Sequence, residues 1–272
     1  MDRFRLKNII ILILALLNGF LLFSLAQRRA SEQAAFRRTA EQLVELFAGD
    51  GMSLDPGVIS REEPPGGVSL ERDAALEREA AAFLLGQSLS VSDRGGGIFH
   101  YAAEAGEALF RSGGGFEVSG TLAGENAEEF CRDFCRAFSY EVPDLELDGG
   151  GNGVFTAAAS FGKLPVFNCT ATFTVENRVL TSVSGTLLPK GGSASPGEEP
   201  PLSAAGALGV FQRMRRESAA VASAVTDMRL CYELQTSGAA MSLAPAWRIV
   251  TDGGDYYVNC LTGGVAAGGA AS

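Results

Sequence analysis

A single histidine, His100, and five cysteines, Cys131, Cys135, Cys169, Cys231 and Cys260, limit the chemistry open to this chain of 272 residues. One imidazole excludes metal sites built from two or three histidines and leaves a His-dependent triad only one candidate base. Cys131 and Cys135 stand four residues apart, which puts two thiols on one helix face and would supply half a metal site. Phe130, Phe134 and Phe138 extend the same stripe, and free cysteine is among the most buried residue types, so the stripe reads as core. Cys169 alternates in phase with Phe167 and Phe173 and is assigned to the core with them. Cys231 runs in antiphase to Met228, Leu230, Tyr232 and Leu234, on the side of Arg229 and Glu233. Cys260 follows on a later strand, so a Cys231–Cys260 disulfide is sterically conceivable, while the odd total leaves the pairing open.

The remaining candidates carry less. His100, within Ile-Phe-His-Tyr-Ala-Ala, has a side chain that titrates near neutrality but no local partner, and reads as a half-exposed strand residue. No Gly-x-Ser-x-Gly elbow, His-Glu-x-x-His pair or phosphate loop occurs. The glycine triplets beginning at Gly95, Gly113 and Gly149 are expected as turns between strands. Glu62 with Glu63 and Glu128 with Glu129 read as solvated faces, and the sequon Asn168-Cys169-Thr170 falls inside an alternating strand. The expectation is a non-enzyme without metal or cofactor. The net charge of −10 includes five basic residues within the first 30, opposed by Asp2; the rest carries 17 basic and 31 acidic residues. So acidic a body disfavours phosphate backbones, which excludes nucleic acid as a partner.

Positioning starts with Ile9 to Leu25, seventeen residues without a charge, at the short end of the ~17–25 that cross a bilayer as a helix. Arg3, Arg5 and Lys7 precede it, so the positive-inside rule favours a cytoplasmic N-terminus and an extracytoplasmic bulk in the cell membrane. Arg28 and Arg29 work against that orientation, and a cleaved signal ending at Ser24-Leu25-Ala26 is the competing interpretation. Asn18 and Gly19 are the residues at which a partner helix would approach and hydrogen-bond in the bilayer.

Residues 1–30 thus form a lead and transmembrane anchor, and 31–68 a stalk helix and loop, the helix presenting Phe36, Ala40, Leu43, Val44 and Phe47 on one face. Residues 69–189 hold two helix-plus-meander units, the first helix capped by Ser69 and the second by Asn126 with Glu129 in capping-box spacing. A Gly/Ser/Pro linker spans 190–202, a third helix-plus-strands unit 203–265, and a frayed tail 266–272. Helices followed by hairpin-linked strands indicate an α+β fold with helices on one face of antiparallel sheets.

The two ends carry a likeness. Met1 to Leu25, with its basic lead and Leu-Leu-Asn-x-Phe-Leu-Leu at 16–22, resembles the YycI family of two-component system regulatory proteins. Pro245-Ala246-Trp247, then Tyr256-Tyr257-Val258-Asn259 and Thr262-Gly263, is similar to that family's closing strands and also to PepSY-like modules. About 50 residues carry the likeness, and Cys260 departs from it where a small residue is expected. The resemblance implies a single-pass protein that associates with a sensor histidine kinase controlling the cell wall, with a YycH-like companion, and tunes it. It brings no catalytic residue. The competing expectation is a tethered PepSY-like module that inhibits or binds an extracytoplasmic peptidase or cell-wall enzyme. Trp247, Tyr256 and Tyr257 read as cross-strand packing.

Overall fold

The computed structural model describes residues 3–123, 126–195, 200–218 and 222–268, with side chains from Ile11 onward. The side chains of Arg3, Arg5 and Lys7, linker residue Pro196, residues 219–221 and the last four residues of the tail lie outside the described residues. The chain opens with α1 (Arg3–Gly49), 47 residues without a break, about 70 Å long at 1.5 Å per residue. Its apolar half is fully exposed and is long and apolar enough to cross a membrane, compatible with a single span or a signal sequence. Farther along, Ala40, Leu43 and Phe47 are buried and Phe36 and Val44 pack against them, the face expected of the stalk.

After β1 (Ser53–Leu54) and a short 3-10 turn, β2 (Gly67–Leu70) occupies the place where Ser69 was expected to cap a helix. The helix α2 (Ala74–Leu85) starts later because Asp73 accepts hydrogen bonds from the Ala75 and Leu76 N–H groups, both at 3.0 Å. There follow β3 (Ser90–Asp93), β4 (Phe99–Ala103), β5 (Gly106–Phe110), β6 (Gly115–Ala123) and α3 (Ala127–Ala137). Asn126 is the N-cap of α3, but its side chain makes no capping hydrogen bond. The next strands are β7 (Gly153–Phe161), β8 (Leu164–Glu176), β9 (Val179–Thr186) and, within the expected linker, β10 (Ser193–Ser195). The third unit consists of α4 (Ala204–Ser218), β11 (Ala224–Ser237), β12 (Ala240–Thr251) and β13 (Gly254–Asn259). Part of the expected tail adds β14 (Val265–Ala267) to β13. Gly95–Gly97 and Gly113–Gly115 fall between strands, whereas Gly149–Gly151 turns in the loop between α3 and β7.

All the strands join one mixed, mostly antiparallel sheet rather than separate ones, in the order β10-β2-β12-β11-β8-β9-β6-β5-β4-β3, with β1, β7, β13 and β14 attached beside it. Along β11, Met228 and Leu230 pack with α1 and α4, while Tyr232 and Leu234 pack with α2 and α3. Alternate residues of a strand share a face, so the described helices outside the apolar half of α1 cover one side of the sheet. On that side Arg72 bolts α2 to the strands. It pairs with the buried Glu77 at 2.7 and 2.9 Å and donates to Gly97 O at 2.6 Å. Gly106 and Gly120 let β5 and β6 meet closely. A Cβ at Gly106 would lie 2.1 Å from Ser119 O.

The joint between the two halves of the sheet rests on an irregularity. Strand β8 shifts register against β7 after Ala158, so Val166 and Cys169 are both buried. Phe167 therefore leaves the face of Cys169 and Phe173 on which strict alternation places it, and stacks on Tyr257 at 3.8 Å. In the same stretch the Asn168 amide donates to Leu234 O and accepts from Leu234 N, both at 2.8 Å. A side chain thus supplies the ladder bonds between β8 and β11, whose backbone pairing is the single parallel register Tyr232 with Val166.

Candidate functional site

Within the apolar half of α1, Asn18 Nδ2 donates to Leu14 O at 2.9 Å. The amide oxygen and the second N–H stay available to a neighbour. Among the described residues, none from elsewhere in the molecule approaches within 4 Å of a Cβ built at Gly19. Asn18 precedes Phe36 by about five helical turns and so shares its side of α1. On that side Phe36, with Arg29 and Gln33, lines a cleft of about 780 Å³ closed by residues 60–64 and by the start of α4. Arg61 lies over the Phe36 ring, 4.6 Å from its centroid. Sequence reasoning did not find this cleft, because residues 60–64 read only as a loop.

The far end of α1 is seated on α4. Phe47 stacks with Phe211 at 6.4 Å, and Arg215 Nη2 donates to Asp50 O at 2.9 Å, meeting a carbonyl just past the helix C-terminus. Arg216 Nε donates to Asp50 Oδ2 at 2.6 Å, and Gln212 Nε2 to the same oxygen. The Arg216 hydrogen bond holds the Asp50 carboxyl below the usual carboxylate range, with Gln212 adding to it against partial desolvation. The pairing of Asp50 with α4 spans more than 160 residues and has no local sequence signal.

The closing motif is brought together, and its residues have structural work. Proline lacks an N–H, so when Pro245 O accepts from Cys260 N at 2.8 Å the return bond to Cys260 O is missing. Leu202 N takes that carbonyl at 2.8 Å, and the Trp247 indole donates to Leu202 O at 2.9 Å. Pro245 and the fully buried Trp247 thereby fix the entry of α4, while Ala246 packs opposite Cys231. Asn259 Oδ1 accepts from Leu261 N and Thr262 N at 2.9 and 3.0 Å, and Gly263, at φ +70°, completes the turn. Tyr256 packs on Phe211 at 5.0 Å and Tyr257 on Phe167.

All five cysteines are free and buried. Cys260 continues the Val258 side of β13 into the core around Trp247, whereas Cys231 lies on the opposite face with Arg229 and Glu233. The sheet stands between the two thiols, so the Cys231–Cys260 disulfide is not formed. Burial pushes the thiols of Cys131, Cys169, Cys231 and Cys260 up to about 12 and that of Cys135 to about 11. Among the described residues no group of three His, Cys, Asp or Glu is placed to hold a metal ion. His100 has partners that the sequence did not show. Its Nε2 lies 3.0 Å from Glu107 Oε2 on the neighbouring strand, and its Nδ1 lies 3.5 Å from Ser92 Oγ.

The class these features define is an α+β chain with one large sheet and an N-terminal apolar helix that continues into its core. No family model matches the sequence, and no curated protein matches it. An uncharacterized protein from Eubacterium rectale ATCC 33656, with a crystal structure at 1.45 Å resolution, is similar in structure at a TM-score of 0.44. The identity is 9%, over 79% of this chain and 89% of that one.

Proposed function

We propose that the chain is a non-enzymatic regulator of YycI type, anchored in the cell membrane by α1 with its bulk outside. It associates with a sensor histidine kinase of a cell-wall-controlling two-component system, alongside a YycH-like companion, and tunes the kinase. The observation that carries this reading is the unbroken α1, exposed and apolar at one end and buried through Ala40, Leu43 and Phe47 at the other. A helix continuous through both regions lets a partner in the membrane and the outer body act on the same rigid rod. Such coupling requires unequal affinity for two kinase states, and about 1–3 kcal/mol is the usual scale. Asn18 and Gly19 are the contact points in this reading, on a stretch otherwise without polar side chains until Ser24.

The test is crosslinking of the tagged full-length protein in native membranes, followed by identification of what it carries. Recovery of a sensor histidine kinase, lost on exchange of residues 9–25 for a neutral membrane helix and weakened by Asn18→Leu, supports the regulator. Recovery of an envelope peptidase or cell-wall enzyme that survives the exchange replaces it with the tethered PepSY-like module. Limited proteolysis of the outer body confirms that the variants remain folded.

A further inference from the structure

The sheet face away from the helices holds an arrangement that the closing motif does not explain. Arg229 of β11 stands directly opposite Arg248 of β12. Directly opposed residues on an antiparallel pair have Cβ atoms about 4.5–5.5 Å apart, and like charges there are destabilising. Each arginine is held by one aspartate. Arg229 Nε lies 2.5 Å from Asp227 Oδ2, and Arg248 Nε and Nη2 donate to Asp255 Oδ2 at 2.8 and 2.6 Å. A guanidinium carries five N–H donors, so these carboxylates aim the two groups while leaving donors free.

Arg229 and Arg248 line a cleft of about 560 Å³ together with Lys163, from the turn between β7 and β8, and Tyr257. That volume is ordinary for a small-molecule site. The Tyr257 ring, stacked on Phe167 with planes 12° apart, gives the cleft a flat wall. Glu62 and Glu141 also line it. Three cations and two carboxylates around one small cleft complement a ligand that carries both an oxyanion and an ammonium group.

We propose that this cleft binds a small zwitterionic carboxylate, an amino acid or short peptide with free ends. Its carboxylate sits on Arg229 and Arg248, and its amino group faces Glu62 and Glu141. The site stands on its own lining, so it holds or fails independently of any kinase partner.

Thermal unfolding of the full-length protein in detergent micelles tests it. The probes are a panel of free dipeptides, the same peptides C-amidated or N-acetylated, and inorganic phosphate. A free dipeptide at about ten times a ~1 mM Kd raises Tm by about 3–5 °C. Blocking either end reduces the shift, and Lys163→Gln weakens it. Arg229→Gln abolishes the shift while leaving the ligand-free Tm unchanged or higher, because it removes one of two opposed cations. The proposal is overturned if no free dipeptide moves Tm, or if amidated peptides or phosphate move it equally. A ligand-free Tm more than about 4 °C lower in Arg229→Gln would overturn it too, by making Arg229 a structural residue.

Discussion

Replacing Phe47 by alanine tests whether the stalk is seated in the outer body or merely leads to it. Phe47 is fully buried and its ring stacks on Phe211, which in turn packs on Tyr256. Truncating a buried phenylalanine costs about 3–5 kcal/mol, the lost transfer energy plus the cavity left behind. For a folded body of roughly 150–250 residues that corresponds to a fall in Tm of about 6–20 °C. Leu46, one position earlier, is 42% exposed, and Leu46→Ala is expected to change stability by no more than about 0.5 kcal/mol. The two variants share a helix and a neighbourhood, and both substitutions raise helix propensity, slightly more in Phe47→Ala, so a larger Tm loss in that variant reports burial. Thermal unfolding of the full-length protein in micelles gives the magnitudes, and hydrogen exchange of residues 40–49 locates the loss. Equal Tm changes in the two variants would refute the seating of α1, and with it the rigid connection on which the regulator reading rests.

Asn168→Asp leaves Leu234 O facing a carboxylate in place of an N–H donor, so a loss of about 1–3 kcal/mol in urea unfolding is expected. In a glycosylating host the sequon should stay unmodified in folded protein, read as an unchanged mass. Asp50, Asp148 and Asp252 are all held below the usual carboxylate range: Asp50 first by Arg216, Asp148 first by the Asn152 N–H, Asp252 first by the Ser223 hydroxyl. Folded values below the unfolded ~3.9 give stability that is complete above that pH and is lost as pH falls through the folded values. Tm measured from pH 7 to 3 should therefore drop at the acid end, and Asp252→Asn should shrink that drop. With thiols at about 11 to 12, alkylation by iodoacetamide at pH 8 should label none of the five cysteines until denaturant is added.

The regular parts of the fold were legible because their periods are simple. The stalk face Phe36, Ala40, Leu43, Phe47 repeats at helical spacing and is the face that packs, and α3 begins right after Asn126, where its spacing to Glu129 places a helix start. Strict alternation failed at Phe167, where a register shift inserts residues between two buried positions, an event that no local pattern announces. The short strands β2, β10 and β14 were missed because Ser, Gly and Ala have little strand preference. Their pairing is supplied by partners far along the chain. Arg229 and Glu233 were correctly set on the face of Cys231, but the opposition of Arg229 to Arg248 depends on the register of β11 with β12, which a single sequence leaves open.

The residues that carry the family likeness at the C-terminus prove a poor place to look for function. Pro245, Trp247, Asn259, Thr262 and Gly263 build the entry to α4 and one turn, so their substitution would damage folding and any activity together. The positions that can separate function from folding are those tied only to their own element: Gly19, which no described residue from elsewhere in the molecule approaches, Asn18, bonded to Leu14 O in its own helix, and Arg229, 74% exposed on its side chain and paired with Asp227 of its own strand. For such residues an effect on partner or ligand binding without a loss of stability has only an external cause. The outer body and the membrane helix are therefore best tested there.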